Sequence, residues 1–241
     1  MRSLRWWTTF GGIGARTRRG CGSLYCATLK PINKKEAGGM GCELVLQNKP
    51  GSALQAWKRA VHTLYEFRQG AYVGRKKKYG KSLWPEADAI RKTTNKSSVK
   101  HTPKKNTPIL FPRAMFGMPI IFPFKSKSDN GTPPETELLP MKGSELYDRL
   151  ASPLILKPIT TGDGNFQPAA LLMPYEHLCK LKLHLKYQNK NSASSGDRSD
   201  WTFNSNKWWN CSDASKVDPI IKNNGTDALT AFMNFFAEGG A

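Results

Sequence analysis

The apolar runs of this chain are short, and proline bounds them: PIIFPF (119–124), PLILKPI (153–159) and PAALLMP (168–174). Proline fixes φ and has no N–H to give to a ladder. Such runs therefore predict short strands, with Pro123 and Pro158 at edges or bulges. LKLHLKY (181–187) alternates strictly. Leu181, Leu183, Leu185 and Tyr187 share one side, and Lys182, His184 and Lys186 the other, so it predicts a strand with one wet face. No apolar run reaches the length of about 18 residues that spans a membrane.

Two helices stand out. Residues 52–69 open on Ser52 as a cap and stop before Gly70, and Leu54, Trp57, Val61 and Leu64 form an apolar stripe. Residues 227–237 open on Thr226 and bury Leu229, Phe232, Met233 and Phe236, with Gly239 beyond the end. A shorter helix starts at Pro85 and runs to about Lys92, with Glu86 and Asp88 offsetting its dipole. Residues 22–29 and 42–46 read as further strands. The polar stretches 93–107 and 188–200 read as loops. Strands interrupted by helices in this way predict an α+β fold, an antiparallel sheet with helices on one face.

Charge is distributed unevenly. The net charge is +19, from 37 Lys+Arg against 18 Asp+Glu. Residues 1–105 hold 23 of the basic and 5 of the acidic side chains, so nearly all of the excess lies there. That asymmetry points to a polyanionic partner; a solvated basic surface without a partner is the alternative. Cys21, Cys26, Cys42, Cys179 and Cys211 form no even framework, and the first three miss the usual zinc spacing. A reduced, cytoplasmic setting is the simplest expectation. No apolar leader precedes the Asn-x-Ser/Thr triplets at Asn95, Asn130, Asn210 and Asn224, which read as chance.

The densest motif is FGGIGARTRRGCGSL (10–24). Glycines allow close backbone approach and positive φ, and Arg16, Arg18 and Arg19 supply charge, so the loop predicts an anion cradle; a plain tight turn is the alternative. Gly12-Ile13-Gly14 followed by Gly20 resembles the glycine-rich loop of the RAMP superfamily of CRISPR proteins. WKRAVHTLYEFRQG (57–70), GKSLWPEADAIRK (80–92), FPRAMFGMPIIFPFK (111–125) and RLASPLILKPI (149–159) follow in order. Together they resemble the first RAMP subunit of the type III-B CRISPR Cmr effector complex, over about residues 6–175.

That resemblance implies tandem ferredoxin-like, RRM-like domains. Residues 1–48 would be the C-terminal remnant of the first and 49–241 the second, so the chain reads as truncated at its N-terminus. It implies a non-catalytic subunit without a cofactor, near the 3′ end of the guide. Guide CRISPR RNA, target RNA and other Cmr RAMP subunits would be its partners, with no membrane or small-molecule substrate. The strand after the loop has Cys21, Ser23 and Cys26 where RRM aromatics would stand, so phosphate contact by Arg16, Arg18 and Arg19 is the expected mode. A second candidate surface is Arg75, Lys76, Lys77, Lys78 and Lys81, with Tyr72, Tyr79 and Trp84 available for stacking; a solvated lysine loop with core aromatics is the alternative. Arg113 is a third, with pairing to a local carboxylate as an equal alternative, and Lys100, Lys104 and Lys105 add diffuse charge.

Two enzymatic readings compete. GRKKKYGKS (74–82) has five residues between its glycines instead of four, and a helix upstream instead of a strand, so it is not a phosphate-binding P-loop. A metal-independent RAMP-family endoribonuclease processing CRISPR RNA needs a general acid or base. The candidates are His62, His101, His177 and His184, and none lies in the glycine loop.

Overall fold

The computed structural model describes residues 1–96, 102–103, 108–124, 132–187, 200–203 and 216–240. Lys100, His101, Lys104 and Lys105, and most of the expected loop 188–200, lie outside the described residues.

Helix α3 (Ala53–Gln69) forms where the sequence places it. Ser52 accepts from the Gln55 N–H while the Gln55 side chain accepts from the Ser52 N–H, a closed capping box. Its buried face differs from the stripe of large side chains. Leu54 is 57% exposed, and Ala56, Ala60, Thr63, Leu64 and Phe67 turn inward. Alanines let the helix axis come close to the sheet, and Phe67 then fills the space beyond them. Phe67 touches Trp84, Phe116, Phe232 and Phe235 edge-on or tilted, at centroid distances of 5.4 to 6.1 Å.

That helix lies on an antiparallel sheet of β1 (Glu43–Leu46), β5 (Leu154–Thr160) and β6 (Phe166–Leu172), in the order β1-β6-β5. Pro158 sits on edge strand β5, as the missing N–H requires. Leu154, Leu156, Ala170 and Leu172 face the main core with α3 and with α6 (Ala228–Ala237). Helix α6 buries the four expected side chains and Phe235 besides. Its cap is Asp227, one residue later than expected; that side chain accepts from the N–H groups of Leu229 and Thr230.

The opposite face of this sheet is covered too, which corrects the expectation of helices on one face. Ile155, Ile159, Ala169, Leu171 and Leu44 pack against Phe10 of α1 (Arg2–Phe10), Ala37 of α2 (Lys34–Gly38) and Ile32. The cause is visible in β5, whose apolar residues occupy both parities, as a strand sandwiched on both sides needs. Arg5 fastens this layer by a two-pronged contact with Glu36 at 2.7 and 2.9 Å.

A second antiparallel sheet runs β2 (Ile120–Phe122), β3 (Thr136–Lys142), β7 (Lys182–Tyr187) and β8 (Trp201–Phe203), with β4 (Glu145–Leu146) on the far end of β3. Leu183 and Leu185 are buried and Lys186 is exposed, the one-wet-face pattern of the alternating segment. Helix α4 (Glu86–Thr94) follows Pro85, and α5 (Asp218–Ile221) precedes α6. The expected strand at 22–29 does not form; only Ser23 bridges, to Gly12. The expected division at residue 48 falls between β1 and α3, which belong to one sheet-and-helix layer. Among the described residues, no helix is long and apolar enough to cross a membrane.

Candidate nucleic-acid interface

The glycine loop follows α1 directly and folds back onto β5. The Ile13 N–H donates to Gly22 O at 3.0 Å, and a 3-10 turn at Thr17–Arg19 closes the middle. Lys157, alone among apolar neighbours in β5, is buried beneath the loop and donates to Gly11 O and, at 3.2 Å, to Ser23 Oγ. Burial brings its ammonium down to about 8. Trp57 Nε1 of α3 donates to Arg19 O at 2.7 Å.

Gly20 shows why the loop needs glycine. Its φ is +81°, and a Cβ there would stand 2.6 Å from Trp57 Cδ1 and 2.9 Å from Leu156 O. Gly12 also faces inward, in the bridge to Ser23. Gly14 is different: its φ is +90°, and a Cβ would meet nothing within 4 Å. There the backbone is open to approach from outside.

The three loop arginines separate by environment. Arg16 has φ +57°, an uncommon conformation for a non-glycine, and its side chain is exposed. Arg18 and Arg19 turn inward. Arg18 Nη1 donates to Ser152 O, while Arg19 donates to Phe116 O at 3.1 Å and Leu154 O at 3.4 Å. Burial, with Arg68 and Arg18 nearby, brings the Arg19 guanidinium down to about 10. Two of the three expected phosphate contacts are thus tied to the backbone of the fold.

The second surface is open. Lys76, Lys77 and Lys78 are exposed, and Tyr72 and Tyr79 are 73% and 88% exposed. Lys78 Nζ lies 5.6 Å from the Tyr79 ring centroid. The loop is shaped by backbone bonds, Tyr72 N–H to Arg75 O at 2.6 Å and Lys76 N–H to Lys81 O at 3.0 Å. Arg75 is half-buried. Lys81 differs, pairing with Asp88 at 2.8 Å. Trp84 is a correction: at 3% exposure it packs on Phe67 and cannot stack on a base.

Arg113 is mostly buried, with Nε 3.1 Å from Glu86 Oε2. Glu86 is fully buried and its Oε1 accepts the Arg113 backbone N–H at 2.9 Å, so it does more than offset the helix dipole. Arg68 and Lys157 belong to the same cationic neighbourhood. Each has a signal in the sequence: Arg68 adjoins Phe67 at the end of an amphipathic helix, and Lys157 interrupts an otherwise apolar strand.

The described histidines pair locally or stand in solvent. His62 Nδ1 is 3.6 Å from Glu66, His184 contacts Asp200 and Thr202, and His177 is exposed. Comparison of the chain with protein-family models, with curated proteins and with solved structures finds no match.

Proposed function

We propose that this chain is a non-catalytic RNA-binding subunit of a type III-B CRISPR Cmr effector, holding guide or target RNA by its backbone and leaving sequence to base pairing. The observation that carries it is the loop 72–79: three exposed lysines, with no carboxylate partner among the described residues, beside two exposed tyrosines. Such a surface grips a single strand by charge and accepts any base by stacking. Exposed Arg16 and open Gly14 offer a second phosphate contact.

The segments that resemble the Cmr subunit support the family assignment. So does chain order. β1, α3, β5, β6 and α6 follow one another as strand, helix, strand, strand, helix, with β6 between the other two strands. We read this as a ferredoxin-like RAMP unit whose second sheet is built by the excursions 70–153 and 173–227. Guide CRISPR RNA, target RNA and neighbouring RAMP subunits are its proposed partners in a cytoplasmic complex.

The test is incubation of the full chain with labelled single-stranded CRISPR-repeat RNA in EDTA. The expected result is retarded, intact RNA. Discrete cleavage abolished by His62→Ala or His184→Ala would establish the endoribonuclease reading instead.

A further inference from the structure

Around Phe116 the fold gathers more positive charge than it neutralises. The Arg19 guanidinium donates to the Phe116 carbonyl, and the Arg68 guanidinium carbon lies 5.7 Å from the centroid of the Phe116 ring. Arg113 sits in the same 3-10 turn, Pro112–Phe116. Arg18 adjoins Arg19 closely enough to act on it electrostatically. Among the described residues, Glu86 is the one carboxylate acting on this group, and its contacts go to Arg113.

Arg68 is therefore left over. Among the described residues, its Nε, shut off from solvent, has no acceptor. The Nε of Arg113, though 3.1 Å from Glu86, is also without an aligned acceptor. A guanidinium offers five donors in a planar fork, and an aromatic ring satisfies none of them. Burying such a group unpaired is costly, and a second and third guanidinium nearby increase the cost. Burial and the neighbouring Arg113 hold the Arg68 guanidinium below its ordinary range, outweighing the opposite pull of Glu86. Arg19, Arg68 and Arg113 remain partly open to solvent, so an anion can reach them.

We propose that Arg19, Arg68 and Arg113 form a site for one tetrahedral oxyanion of the phosphate class, with Arg68 as its principal ligand. The fork geometry suits two phosphate oxygens at once. Arg19 retains donors beyond the two it gives to carbonyls, and its hold on Phe116 O and Leu154 O fixes its position. Glu86 orients Arg113 without neutralising the group. The case for an anion rests on the unpartnered Arg68 Nε beside two further guanidinium groups; that the anion is an RNA backbone phosphate, instead of free phosphate, rests on the nucleic-acid reading above.

The experiment is thermal unfolding of the full chain in inorganic phosphate against chloride at equal ionic strength, with Arg68→Met beside wild type. Methionine keeps an apolar stem against Phe116 and removes the charge. Wild type is expected to gain about 4 °C at tenfold excess over the phosphate Kd, saturably, and Arg68→Met to gain nothing beyond chloride. Arg68→Gln gives the same reading if Arg68→Met does not fold. A wild-type response no larger in phosphate than in chloride, or an equal response in the variant, overturns the site. In a parallel arm with single-stranded RNA, Arg68→Met should bind about tenfold more weakly, with a log–log salt slope shallower by about 0.7. An Arg68-dependent phosphate response in a chain that binds no RNA keeps the site and removes the nucleic-acid reading. Tight RNA binding unchanged by Arg68→Met, with no phosphate response, keeps that reading and removes the site.

Discussion

The two cationic loops of this chain look alike as text and behave as opposites in space. In the glycine loop, Arg18 and Arg19 turn into the fold and end on the carbonyls of Ser152, Leu154 and Phe116. In the loop 72–79, Lys76, Lys77 and Lys78 point into solvent. The first loop has its close contacts inside, under Trp57 and over Lys157; the second is held by its own backbone. The lesson is that guanidinium groups, with several directed donors, are drawn to carbonyls wherever the backbone offers them, whereas ammonium groups on flexible stems stay hydrated. In these two loops, Arg18 and Arg19 hold the backbone of the fold while Lys76, Lys77 and Lys78 stand open to a partner.

The sharpest way to break the contrast is Gly20→Ala. A Cβ at positive φ, against Trp57 and Leu156 O, should cost about 3 kcal/mol and be visible in denaturant unfolding; a change below about 0.5 kcal/mol would mean that the loop is not packed as described. Arg18→Ala should cost about 1.5 kcal/mol, by loss of its charge-assisted bond to Ser152 O, and leave RNA affinity unchanged. The reverse pattern would make Arg18 a ligand and erase the distinction. Tyr79→Ala should weaken single-stranded RNA by about 1 kcal/mol without a shift in unfolding, as filter binding and calorimetry would show.

A pH dependence offers a further check on the buried side of this contrast. Lys157 is brought down to about 8 in the fold from its ordinary 10.5. Between those values the unfolded chain keeps a proton that the folded chain has released, so Lys157 makes stability rise with pH across that window. Denaturant unfolding at pH 8 to 10.5 should show wild type gaining relative to Lys157→Met. A parallel course for the two proteins would mean that the ammonium is not buried beneath the loop.

Much of the architecture was readable from local chemistry. Ser52, Gln55 and Gly70 frame α3, and the alternation from Leu181 to Tyr187 forecasts one buried and one wet face, of which Leu183, Leu185 and Lys186 bear the mark. The misreadings share a cause. A stripe drawn through the largest side chains, Leu54 and Trp57, misses that Ala56 and Ala60 admit the sheet more closely. Residues 22–29 have strand-like composition, but only Ser23 enters a bridge, to Gly12, within the folded-back glycine loop. At the candidate site, composition marked Arg18, Arg19 and Arg113 as basic without telling which way they point. Arg68 escaped notice because its partner ring, Phe116, is 48 residues away along the chain.

The most direct test of the account is a salt titration of single-stranded RNA binding by wild type and by the combined variant Lys76→Ala, Lys77→Ala, Lys78→Ala. The account predicts a log–log slope shallower by about 2 in the variant, similar for RNAs of unrelated sequence, with unfolding unchanged. Equal slopes for the two proteins would contradict it.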